Sequence, residues 1–160
     1  MKIIKELKEE NIKNIDIYRK AARGIILNKN KALMIYSRYF NDYSFPGGGL
    51  EKNEDILDTL KREVLEETGY IVSDIKEYGL IIETKEMFNK NYYQENYYFL
   101  CKGNRVTNPD LEDYEIEYGY KPLWIDLKKA YNHNLNTLKN KYSMAIKREN
   151  EIIEKLLEEL

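Results

Sequence analysis

A chain of 160 residues has room for one domain with a real core, and 42% hydrophobic with 34% charged residues is the mixture of a folded globule rather than a disordered chain. The formal net charge of -2, with Lys and Arg scattered among the acids, leaves no broad basic surface and excludes duplex nucleic acid as an expected partner. No run approaches the roughly 20 apolar residues of a membrane span, no signal-peptide core is evident, and a single cysteine, Cys101, forms no internal disulfide, so the expectation is a cytoplasmic protein, monomer or homodimer, with no membrane partner.

Taken in order, residues 2–14 carry Ile3, Ile4, Leu7 and Ile12 among Lys and Glu, which predicts a weakly amphipathic helix on the domain's edge. R-K-A-A-R-G-I-I-L from Arg19 to Leu27 predicts a strand, and K-A-L-M-I-Y-S-R-Y from Lys31 to Tyr39 a second, joined by a hairpin turn at Asn28 to Lys31. Arg19, Lys20 and Arg23 have two uses open to them, as solvated cations or as groups reaching a phosphate. In Y-S-F-P-G-G-G, Tyr43 to Gly49, Pro46 and three glycines build a tight turn whose backbone can approach a ligand closely.

The helix that follows is expected to start after Asn53 as N-cap, with Glu54 and Asp55 in its first turn, and to stop at Gly69. At about 100° per residue, Ile56, Leu60, Glu63 and Glu67 share one side, with Leu57 and Val64 on one flank and Glu66 on the other. One face thus begins apolar and ends acidic. Packing of the apolar half holds the acidic half against the protein, where carboxylates repel one another and where Glu66 and Glu67 meet the negative end of the helix dipole. Arg62 can neutralise one charge. The remainder suits a hard divalent cation with oxygen ligands, Mg²⁺ or Mn²⁺.

Beyond the helix, Glu77 to Lys85 and Asn96 to Lys102 predict two strands with a turn near residue 90, and Cys101 reads as a small core residue. Asp110 to Tyr118 is an acidic loop or short helix, and L-W-I-D-L from Leu123 a short strand leading into a helix near Lys128. From about 140 to 160, Tyr142, Ile146, Ile152, Ile153, Leu156 and Leu160 have helical spacing, for packing on the same domain or for a dimer contact. The fifteen tyrosines serve either cross-strand packing or the stacking of a base. The lone histidine, His133, lies in a polar stretch far from any G-x-S-x-G, and there is neither a G-x-G-x-x-G nor a Walker-type loop.

Gly48 to Tyr70 resembles the Nudix box, G-x5-E-x7-R-E-U-x-E-E-x-G-U with U bulky and apolar or aromatic. Gly48, Glu54, Arg62, Glu63, Val64, Glu66, Glu67, Gly69 and Tyr70 occupy every constrained position. At ordinary residue frequencies such a match arises by chance on the order of once in 10⁹ starting positions, which decides against a merely solvated helix face. The preceding Tyr43, Phe45 and P-G-G are similar to the family's usual approach to the box.

The resemblance implies an α/β/α sandwich with a mixed central β-sheet over about residues 18–130, within a single domain spanning 1–160 and extended by a helix at each end. It implies metal-dependent hydrolysis of a nucleoside diphosphate linked to another group, with Mg²⁺ or Mn²⁺ held by Glu63, Glu66, Glu67 and the carbonyl of Gly47. Arg62 would orient a glutamate and Glu54 would position the loop. A further glutamate before the tryptophan-bearing strand falls first to Glu117 and second to Glu115, and one of these acids would act as general base. Lys85 and Glu86 stand where a proline often accompanies ADP-ribose activity in the family, which favours a nucleoside triphosphate or nucleotide sugar as the small-molecule substrate. A silent nucleotide-binding regulator and an mRNA-decapping enzyme are the alternatives.

Overall fold

The computed structural model describes all residues from Met1 to Leu160. Their elements run β1 (Ile3–Lys8), β2 (Ile17–Asn28), β3 (Lys31–Ser37), β4 (Asp42–Ser44), β5 (Gly47–Gly49), α1 (Ile56–Thr68), β6 (Tyr70–Met87), β7 (Lys90–Arg105), α2 (Asp113–Glu117), β8 (Tyr120–Asp126), α3 (Leu127–Asn140) and α4 (Met144–Glu159). Strand order is β1-β6-β7-β2-β3-β4, with β5 added to β2 and β8 to β3. β1 runs parallel to β6 and β7 parallel to β2, while β6 with β7, β2 with β3 and β5, and β3 with β4 and β8 are antiparallel.

Alternation along the strands divides the core in two. Ala22 and Ile26 of β2 pack with Phe99 and Cys101 of β7 under Leu60 and Val64 of α1. On the other face Ile25, Ile81 and Tyr98 lie under Leu127 and Ala130 of α3 and Ile152, Ile153 and Leu156 of α4. The result is the expected sandwich, helices on both faces of a mixed sheet. Gly24 lets α1 settle close, since a Cβ there would meet Val64 Cγ2 at 3.0 Å.

The pairing of β2 with β3 is confined to two register positions, Leu27 with Ala32 and Asn28 with Lys31. Further back along β2, Ala21, Ala22 and Arg23 pair instead with Gly49, Gly48 and Gly47. The glycine strip is thereby laid into the sheet beside α1.

Three local expectations are corrected. Residues 2–14 contain no helix: Ile3–Lys8 is a strand, because the free edge of β6 satisfies its backbone in parallel register from Ile3 with Leu80 to Lys8 with Thr84. The cap of α1 is Asp55, whose side chain accepts from the Asp58 amide at 2.8 Å, whereas Asn53 turns left-handed at φ 68° two residues earlier. The helix placed at about 140–160 begins at Met144, capped by Ser143. The hairpin turn at Asn28 to Lys31 forms as expected, with Lys29 at φ 57°.

Candidate active site

α1 carries the acidic residues, and its apolar side fixes where they point. Leu60 and Val64 are fully buried, so Glu63 and Glu67, on adjacent sides of the same turns, face β5. A Cβ on Gly48 would lie 2.5 Å from Glu63 Oε1. The carboxylate therefore rests on bare backbone. The Gly47 amide donates to Glu67 Oε1 at 2.7 Å, tying the strip to the helix a second time.

Glu115 supplies the third carboxylate. It is only 3% exposed and sits in α2, where Glu112 as N-cap and Glu115 form a reciprocal capping box, the Glu112 amide donating to Glu115 Oε1 at 2.9 Å. One oxygen each of Glu63, Glu67 and Glu115 lies within 4.8 Å of the others. Burial first, then contact with the Glu115 carboxyl and the charges of Glu115 and Glu63, push Glu67 well above its ordinary pKa, against the Gly47 amide that favours the charged form. Burial also raises Glu63, although Arg62 opposes it.

Arg62 gathers the rest. Its Nε donates to Glu54 Oε2 at 2.6 Å and its Nη2 to Glu54 Oε1 at 2.9 Å, a bidentate pair. Nη1 donates to Glu63 Oε1 at 2.9 Å and Glu66 Oε2 at 3.3 Å, and Nη2 reaches the Gly49 carbonyl at 3.3 Å. The bond from Arg62 holds the Glu54 carboxyl down at about 2. One guanidinium thus locks the box loop, Glu63 and Glu66 into one arrangement, and no cation remains for Glu67 and Glu115. Three clustered carboxylates, two of them without a positive partner and the third sharing Arg62 with Glu54 and Glu66, are all oxygen donors and fit a hard divalent cation, with Glu63, Glu67 and Glu115 as the residues to hold it.

Of the residues expected from sequence, Glu54, Arg62, Glu63, Glu66, Glu67 and the Gly47 backbone converge here. Glu117 does not. It is exposed at the end of α2, and the second choice, Glu115, takes the place in the cluster. Lys20 shares the α1 side of β2 with Ala22, while Arg19 and Arg23 share the other.

Sequence reasoning missed a buried polar layer on that other face. Arg148 of α4, 5% exposed, donates to Glu83 Oε1 at 2.8 Å and to the Tyr98 hydroxyl at 3.0 Å, and Tyr98 donates to Glu149 Oε2 at 2.6 Å. Asn96 Nδ2 donates to Glu83 Oε1 at 2.8 Å. The available signal was Glu83 and Lys85 continuing the inward positions of Ile81, and Gln94 and Asn96 continuing those of Tyr98.

Against known proteins, the NUDIX domain model matches residues 17–145. An 8-oxo-dGTP diphosphatase of Buchnera aphidicola (subsp. Acyrthosiphon pisum) is 33% identical over 126 residues, covering 71% of this chain and 91% of that protein. The mRNA-decapping enzyme subunit 2 of Saccharomyces cerevisiae is 30% identical over 162 aligned positions, covering 90% of this chain but 16% of that much longer protein. Among solved structures, a MutT protein from Bacillus halodurans superposes with a TM-score of 0.56 at 20% identity, over 71% of this chain and 72% of that one. A NUDIX hydrolase from Nitrosomonas europaea gives 0.57 at 19%, over 73% and 78%. The structures share the fold, while the family match and the bacterial relative, on top of an intact box with its acids gathered at one site, establish that this chain belongs to the Nudix hydrolase family.

Proposed function

We propose that the chain cleaves a diphosphate bond in a small nucleotide derivative, a nucleoside triphosphate or a nucleotide sugar, using Mg²⁺ or Mn²⁺ held by Glu63, Glu67 and Glu115 with support from Glu66 and the Gly47 carbonyl. The observation that carries this reading is the convergence of three carboxylates within 4.8 Å at the end of the box helix. A bound divalent cation supplies charge neutralisation at phosphate oxygens and a more acidic water. The chain's own part is to position it. Arg62 fixes Glu63 and Glu66, Gly47 fixes Glu67, and the capping box fixes Glu115, so that few rotamers are lost on binding. The general base comes from the same set of acids, and no nucleophilic side chain is required.

The similarity to a bacterial 8-oxo-dGTP diphosphatase supports a nucleoside triphosphate. The similarity to the yeast decapping subunit, which covers most of this chain, supports capped RNA as the second reading. The complete set of box acids weighs against a silent binding protein.

The test is product release from nucleoside triphosphates, nucleotide sugars, ADP-ribose, dinucleoside polyphosphates and capped RNA, each with Mg²⁺ and with Mn²⁺. Glu67→Gln and Glu115→Gln are expected to lose at least the roughly tenfold to hundredfold that removing an outer-shell metal partner costs, while Glu117→Gln stays within about twofold of wild type. Full turnover in Glu67→Gln at saturating Mg²⁺ would overturn the ligand assignment. Release of a capped nucleotide alone would select the second reading.

A further inference from the structure

The glycine strip β5 has different chemistry on its two sides. Gly48 faces the Glu63 carboxylate. On the opposite side, a Cβ on Gly49 would stand 2.6 Å from Arg19 Nε and Nη2, and one on Gly47 2.8 Å from Arg23 Cγ. Two arginines therefore lie along the backbone across from the metal-binding acids. Neither has a carboxylate in ion-pair contact: the Arg19 side chain makes no hydrogen bond or ion pair, and Arg23, whose charge reaches Glu83 only at longer range, donates one long bond, Nε to Asn96 Oδ1 at 3.4 Å.

The surrounding charges do not supply a partner. Lys85 and Arg148 already take up Glu83 at 3.3 and 2.8 Å, and Glu149 is engaged by the Phe45 amide, Tyr98 and Arg148. Glu95 lines the same surface hollow as Arg19 but stands in register with Lys20 and forms no ion pair with either arginine. Positive charge remains in surplus at Arg19 and Arg23.

A second observation lies beside them. Gln94, in register with Arg19 across the strand pair, is 1% exposed, and its Oε1 is the one buried side-chain polar atom without a hydrogen-bond partner. Its orientation is fixed from below. Asn96 Nδ2 donates to Ile81 O and Glu83 Oε1, so Asn96 Oδ1 must accept from Gln94 Nε2, at 2.8 Å, and Gln94 Oε1 is left as a buried acceptor without a donor. The place calls for a ligand that brings an anion to the arginines and an N–H or O–H to Gln94, as the phosphates and sugar of a nucleotide do.

We infer that Arg19 and Arg23 form an anion subsite for a substrate phosphate beyond the one held at the carboxylates, and so select a nucleoside triphosphate over a nucleotide sugar. This rests on the hydrolase reading above and narrows its substrate. Metal-binding acids grip the chain of phosphates from one side of β5 and the arginines from the other.

Two measurements on the full chain test it. In titration calorimetry with Mg²⁺, wild type is expected to bind inorganic tripolyphosphate roughly tenfold or more tightly than pyrophosphate, and Arg19→Gln/Arg23→Gln to lose that margin. In steady-state kinetics the same variant is expected to raise KM for a nucleoside triphosphate by about tenfold or more, with KM for the nucleotide sugar of the same nucleoside changed less than about twofold. Lys20→Gln, on the opposite face of β2, should change neither. Arg19→Gln alone, at an exposed position, serves if the double variant does not fold. Equal wild-type affinities, a margin that survives the substitutions, or equal losses on both substrates would each overturn the subsite. A wild type that shows the margin but cleaves nothing would remove the hydrolase reading and leave the subsite standing.

Discussion

Gly48 shows how one missing side chain can serve chemistry rather than conformation. Its φ is not left-handed, and the atom that a Cβ would strike is Glu63 Oε1, the movable end of a side chain. Gly48→Ala should therefore fold and melt within a few degrees of wild type while the displaced carboxylate lowers Mn²⁺ affinity and kcat/KM by roughly tenfold to a hundredfold. Normal Mn²⁺ binding by paramagnetic resonance in that variant would show that Glu63 is free to relax. At this scale the box was legible because its spacing alone puts Glu63 and Glu67 on one side of a helix whose apolar residues must be buried. Glu115 was not separable from Glu117, since two residues at about 100° each differ by about 200°, and only the cap at Glu112 decides which one faces inward.

Strand β1 marks the limit of periodicity as a guide. Ile3, Ile4 and Leu7 fit a helix and a strand alike over so short a run, and the choice fell to a partner 70-odd positions away, the open edge of β6, through the pairing of Ile3 with Leu80. Longer strands were legible in kind but not in length. β6 and β7 extend well past their apolar centres because each backbone supports the other. Gly79 is what admits β1: a Cβ there would come within 2.0 Å of Ile4 Cδ1. Gly79→Val should prise β1 away, with faster hydrogen exchange at Ile4 to Leu7 and a loss of about 1–3 kcal/mol, yet leave Mn²⁺ affinity at the distant end of α1 unchanged. Protection of β1 equal to wild type would mean that the sheet shifts to accommodate the branch.

Across the whole molecule, the two helical layers are joined by different physics. α1 meets the sheet through apolar contact, whereas α4 adds to its apolar contacts an ion pair between Arg148 and the fully buried Glu83. Burial works to raise the Glu83 carboxyl, but the charges of Arg148 and Lys85 outweigh it and hold the group at about 2, below its ordinary 4.5. A depressed carboxyl stabilises the fold fully above its unfolded value and loses that contribution as pH falls through its folded one. The shift corresponds to roughly 3 kcal/mol at pH 7, of which less than half remains at pH 3. Glu83→Gln removes the titrating group, so denaturant unfolding should show wild type ahead at pH 7 and the gap narrowing steadily below pH 4.5. The Glu54 to Arg62 pair titrates in the same range, but it is present in both proteins and cancels from the difference. A gap that stays constant from pH 7 to pH 3 would mean that Glu83 holds α4 by shape and hydrogen bonding rather than by charge.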